Sequence, residues 1–127
     1  MEDPQPAHIS PLEPAFDVTA ALARVDGDRE LLAELVQIVR AESPRVLSEI
    51  RRCVDAGDPA GLERAAHRLR GSIGVFGARS VLQAALELET MARNQMLMDA
   101  APKLAELQKA LDQFDGDLAA LSEDSFL

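Results

Sequence analysis

The residues best suited to chemistry lie between Ala65 and Ala78, in the run AAHRLRGSIGVFGA. The imidazole of His67 is the group there that can act as a nucleophile near neutral pH. On a helix advancing ~100° per residue, Leu69, Ile73 and Phe76 fall within roughly 40° of Leu62 and define a buried face. His67 lies about 140° from Leu62 and points to water. Gly71, Gly74 and Ala78 stand four, seven and eleven residues beyond it and continue the same outer strip. An ordinary solvated strip carries Glu, Lys or Gln, whereas this one is bare beside an exposed imidazole. Gly71, Gly74 and Gly77 inside a helix are expected to cost about 2–3 kcal/mol, against a small domain's net stability of ~5–15 kcal/mol. A penalty without a packing return is expected at a functional site, where a bare strip gives a second macromolecule access to the ring. Local propensity alone also permits the helix to stop at Gly71 and turn through Ser72 and Gly74, but the apolar phase runs on to Phe76.

Composition limits what that chemistry can be. The chain has 127 residues, the size of one domain, and is 47% apolar and 28% charged, which fits a globular core. With no Trp or Tyr and four Phe, the core must be aliphatic. A net charge of -9 repels a phosphate backbone and an anionic lipid surface, so neither nucleic acid nor membrane is an expected partner. One cysteine, Cys53, excludes an internal disulfide, and two histidines, His8 and His67, exclude a histidine-rich metal site, so no metal is expected. No segment resembles a membrane span or a secretory leader, and a soluble cytoplasmic protein is expected. Gly71 to Gly77 is no P-loop, because no G-K-[ST] follows. Gly71-Ser72-Ile73-Gly74 matches the GXXG of KH domains only superficially, since strands are lacking.

Helices must position His67. Residues 1–15 hold four of the seven prolines and read as a flexible, Pro-rich acidic lead-in; residues 122–127 read as a frayed tail. Between them, residues 16–121 form the helical domain. A short first helix starts at Asp17 and ends at Asp26-Gly27; a long second one runs from Asp28 to Gly57 with Pro44 as an internal kink. Asp58-Pro59 opens the third, Ser80 is expected to cap the fourth, and Asp99 to start the fifth. Leu104, Leu107, Leu111, Phe114, Leu118 and Leu121 repeat at spacings of three and four, a bundle stripe. The expected architecture is all-α: an up-and-down antiparallel four-helix bundle with a short additional N-terminal helix.

The run Ala66-His67-Arg68-Leu69-Arg70-Gly71-Ser72, with Gly77-Ala78 ten residues past the histidine, resembles the A-H-x-L-K-G-S…G-A signature of histidine-containing phosphotransfer (HPt) domains. The likeness extends from Phe16 to about Leu121 and includes FDVTAALARVDGDRELLAELV, AGDPAGLERAAHRL and LELE at Leu86 to Glu89. The resemblance implies that His67 is the phosphoacceptor of a multistep two-component phosphorelay, taking a phosphoryl group from a receiver-domain aspartate and passing it to another receiver. It implies no cofactor of the chain's own, with Mg²⁺ on the partner receiver. Response-regulator receivers or a hybrid sensor histidine kinase are the implied partners of a monomer that is not itself an enzyme. Arg70 stands where the family usually has lysine and, with Gly71 and Ser72, forms the expected phosphate environment. Ser72 also leans toward the core flank, where its hydroxyl has a packing role to play. Arg64, Arg68, Gly71, Gly74 and Ala78 are the expected docking residues.

Two other functions compete: the phosphoacceptor domain of a chemotaxis-type histidine kinase, and a helical adaptor that docks receivers without chemistry. A hydrolase is disfavoured because the motif places no acid or base near His67. Cys53 is read as a partly buried helix residue. Met91, Met96 and Met98 are read as a plug at the end of the bundle, and His8 shows no visible chemistry.

Overall fold

The structure, a computed structural model, describes residues 16–121. The Pro-rich lead-in with His8 and the tail at 122–127 lie outside the described residues. Those described form five α-helices and two short 3-10 turns, with no strand among them. They are α1 (Val18–Arg24), α2 (Arg29–Ala56), α3 (Pro59–Ile73), α4 (Arg79–Arg93) and α5 (Ala100–Ala119).

The starts of the first three helices follow from side-chain caps. Asp17 accepts from the amides of Thr19 and Ala20, Asp28 from Leu31, and Asp58 from Gly61. Pro59 follows Asp58 at the first helical position, where it forfeits no hydrogen bond. Asp26 and Gly27 both adopt left-handed backbone, which ends α1, and Gly57 does the same after α2. Gly61 sits where the α2–α3 turn is tightest. A Cβ there would come within 2.8 Å of Cys53 Sγ, so only glycine fits without a shift. α2 runs unbroken through Pro44.

The long helices pack in a ring, α2 on α3, α3 on α4, α4 on α5, and α5 back on α2. Their buried residues are almost all aliphatic. The exception is one end, where Phe16, Phe76 and Phe114 meet edge to face with centroids 5.5–5.8 Å apart. α1 lies against the turn that follows α3, and Arg24 Nη1 donates to the Val75 carbonyl at 3.0 Å. Thus the short first helix fixes the chain within the glycine-rich stretch, between Gly74 and Gly77.

Three expectations need correction. α3 ends at Ile73, a 3-10 turn covers Gly74–Phe76, and Gly77 takes a left-handed conformation at φ 61°. The tighter turn still buries Phe76, but Gly77 then swings Ala78 into the core, so Ala78 is fully buried and not part of an outer strip. Gly77 therefore occupies a position that favours glycine, and the helix-interior penalty falls on Gly71. Secondly, α4 starts at Arg79, so Ser80 lies inside the helix; Ala78 is the residue before it and provides no side-chain cap. Thirdly, Met98 is 97% exposed and Met96 is exposed too. The left-handed Gln95 and the 3-10 turn Leu97–Asp99 present Leu97 to the core instead, and of the three methionines Met91 alone packs against it. Cys53 is buried, which pushes its thiol pKa up, and Asp58 and Glu49 push the same way.

Candidate functional site

α3 buries Leu62, Ala65, Ala66, Leu69 and Ile73 and leaves His67 on its outer side, 71% exposed at the side chain. Each large apolar side chain so buried contributes about 1.5–3 kcal/mol, which outweighs the ~1 kcal/mol cost of Gly71 in the same helix. Gly71 is exposed and Gly74 half-buried, and a Cβ on either would meet nothing within 4 Å. No packing constraint therefore demands glycine at these two positions, and what they provide is open surface beside the ring.

The residue absent from the sequence reading is Glu89. It is the one buried charged residue among those described, with only 4% of its side chain exposed. From α4 it reaches across to α3. His67 Nδ1 lies 3.1 Å from Glu89 Oε2, and Arg70 Nε donates to Glu89 Oε1 at 2.7 Å. Arg93, one turn along α4, donates through Nη2 to Oε2 at 3.2 Å and through Nε to Glu63 Oε2 at 3.2 Å. An acid does stand beside His67, contrary to the expectation from the motif.

Burial by itself would raise the Glu89 pKa. The hydrogen bonds from Arg70 and His67, with the positive charge of Arg70, outweigh it and hold the carboxyl below its ordinary value. An ionised carboxylate only accepts, so the shared proton sits on Nδ1 and His67 Nδ1–H is the donor. The 3.4 Å approach of Arg70 Nη2 to Nδ1 is then no hydrogen bond, because Nδ1 has no lone pair left. In the neutral ring the lone pair is then on Nε2, and the side chain as a whole is mostly exposed. The contact with Glu89 thus orients the ring and favours the Nδ1–H tautomer.

The remaining residues divide by position. Ser72 Oγ donates to Glu42 of α2 at 3.1 Å, so its hydroxyl serves helix packing and does not join the phosphate environment expected of it. Arg68 pairs with Glu49 of α2, and Arg64 is exposed on the same helix. Arg70 is brought to His67; Arg64 and Arg68 remain on the surface around the strip. The described residues contain no cluster of His, Cys, Asp and Glu able to hold a metal, and no helix long and apolar enough to cross a membrane.

Fold and site together define a helical domain that presents one histidine, oriented by a buried acid, on an open face. The chain belongs to the Hpt domain family, whose model matches residues 34–117, more than half of the sequence. No curated protein and no solved structure matches significantly. Hpt domains are phosphotransfer modules of two-component phosphorelays, working with receiver domains and kinases, and are generally not catalytic enzymes.

Proposed function

We propose that this chain carries a phosphoryl group on His67 Nε2, taking it from the aspartyl phosphate of one receiver domain and passing it to an aspartate of another. The observation that carries this reading is the Nδ1–Glu89 contact, which leaves Nε2 as the free nitrogen beside the bare surface of Gly71. The Nε2 lone pair attacks phosphorus; the N–P bond forms as the bond from phosphorus to the receiver carboxyl oxygen breaks, and the carboxylate leaves with the electron pair. The proton on Nδ1 stays in place, so the ring gains positive charge, and it gains it against the Glu89 carboxylate. Preorganised opposite charge at the position where charge develops is an effective form of transition-state stabilisation. Transfer to the second receiver is the reverse step.

Phosphoryl transfer depends on in-line positioning and charge neutralisation, for which Mg²⁺ belongs to the receiver in this reading. Arg70 uses Nε for Glu89 and keeps its outer N–H groups for a phosphoryl oxygen. Gly71 and Gly74 admit the receiver backbone, with Arg64 and Arg68 toward its acidic rim. Ala78, being buried, takes no part. The same reading takes the four long helices as an antiparallel up-and-down bundle, supported by their closed ring of contacts and by the two-residue Gly57-Asp58 link between α2 and α3.

The test is transfer from a labelled, phosphorylated receiver to wild type and to His67→Ala. Label is expected on wild type alone, in a linkage that is labile to acid and stable to base. Equal label on the two proteins refutes the assignment. Receiver binding that survives His67→Gln, with no transfer to wild type, identifies an adaptor instead.

A further inference from the structure

Glu89 faces conflicting demands. It must accept from Nδ1–H to keep Nε2 free, yet an isolated carboxylate against an imidazole favours the imidazolium, in which Nε2 also carries a proton and cannot attack. Two guanidiniums share this carboxylate. Arg70 takes Oε1, and Arg93 takes Oε2, the oxygen that also accepts from His67. Arg70 stands next to the nucleophile, where it is drawn toward an arriving phosphoryl group. Arg93 is also anchored by Glu63 through Nε, so its contact with Glu89 does not depend on what happens at Nε2.

We propose, on the reading that His67 is the phosphoacceptor, that Arg93 is a positioning residue: it holds Glu89 on Nδ1 and offsets part of its charge. No other pair in the site plays this part. The charged groups facing the cluster are accounted for: Glu63, His67 and Arg70 from α3, and Arg93 on α4 itself. On the α2 side Glu49 is taken by Arg68 and Glu42 by Ser72; on the α5 side Lys103 pairs with Glu87 and Glu106.

The direction of the effect follows from the geometry. His67 Nδ1 and Arg93 Nη2 both lie within 3.2 Å of Glu89 Oε2, which puts them at most about 6 Å apart. Arg93 is 54% exposed, so a water-like dielectric applies. A unit charge at that distance still acts on the ring.

The experiment uses the full chain and phosphoramidate, a small donor whose P–N bond breaks as the His67 N–P bond forms and ammonia leaves. The phosphorylation rate is followed against pH, with ¹⁵N NMR of the His67 ring recorded in parallel. Arg93→Gln is expected to move the acid limb of the rate profile upward and to weaken the Nδ1–H tautomer signature. Arg93→Lys is expected to restore both. Glu63→Gln removes the α3–α4 bridge without removing the charge on Glu89, and is not expected to move the limb upward. An Arg93→Gln profile and ring spectrum identical to wild type overturn the proposal, as does an equal upward shift in Glu63→Gln, which would mark a merely structural tether. Neither result touches the phosphoacceptor assignment, which fails separately if wild type takes no label while His67 shows the expected tautomer.

Discussion

Replacing Glu89 with alanine tests the core of the mechanism. The carboxylate holds the His67 proton on Nδ1; without it, the nearest polar group is Arg70 Nη2, already 3.4 Å from Nδ1. Nη2 can only donate, so it stabilises the opposite tautomer, with the proton on Nε2 and the lone pair turned inward. A hydrogen bond to a charged group is worth about 1.5–3 kcal/mol, and the high exposure of His67 selects the lower end of that range. That converts to about a tenfold fall in the ratio of rings with a free Nε2 to rings with the opposite tautomer. Phosphorylation of Glu89→Ala by phosphoramidate at neutral pH should therefore slow by several-fold. The substitution also removes hydrogen bonds tying α3 to α4, so thermal melting is recorded alongside to confirm a folded sample. Arg70 and Arg93 are partly exposed and rehydrate, which limits the damage to lost bonds and strands no buried charge. A folded Glu89→Ala protein phosphorylated within about twofold of wild type, a difference of only ~0.4 kcal/mol, would refute the tautomer argument.

Gly71→Gln should fold at least as well as wild type, gaining up to about 1 kcal/mol in helix propensity because nothing lies near its Cβ. It should still accept phosphate from phosphoramidate while losing transfer from a phosphorylated receiver; undiminished receiver transfer would mean that the bare strip is not the docking surface. Gly77→Ala should destabilise by about 1–2 kcal/mol, read in a urea melt, since φ 61° strains any L side chain and its Cβ would crowd the Arg24 guanidinium at 3.3 Å. The depressed pKa of Glu89 makes folding pH-dependent: its contribution is complete above the ordinary carboxylate value and lost as pH falls through the lower folded value. Acid unfolding of wild type should accordingly be steeper than that of Glu89→Gln over that window, and parallel curves would contradict the shift.

How much of the fold can be read in the sequence depends on whether its signals are local. The caps at Asp17, Asp28 and Asp58, the stop at Gly57 and the stripe of α5 rest on contacts within a few residues, and all are legible. The turn after α3 is not. Its helix narrows to 3-10 geometry because Phe76 is drawn into the cluster with Phe16 and Phe114, contacts made across the chain. A wheel with a fixed angle carries its phase past that change and so misplaces Ala78 on the surface. The methionines fail for a similar reason: which of Met96, Leu97 and Met98 faces inward is decided by the left-handed Gln95, a residue type with no strong preference for it.

The acid of the site is hidden differently. Glu87 and Glu89 lie about 160° apart on α4, one on each shoulder of its buried stripe, and nothing in LELE distinguishes them. The structure assigns them opposite partners: Glu87 pairs with Lys103 of α5, while Glu89 meets His67 and Arg70 of α3. On α3, Glu63, His67 and Arg70 share one shoulder by their spacing of four and three. Which shoulder of α4 meets it is set by the path the chain takes between the two helices, through the 3-10 turn and the left-handed Gly77. A glycine counted in the sequence only as a helix-interior cost therefore acts at a remove from the ring. It brings α4 back along the histidine side of α3, and so delivers the carboxylate that meets His67 Nδ1.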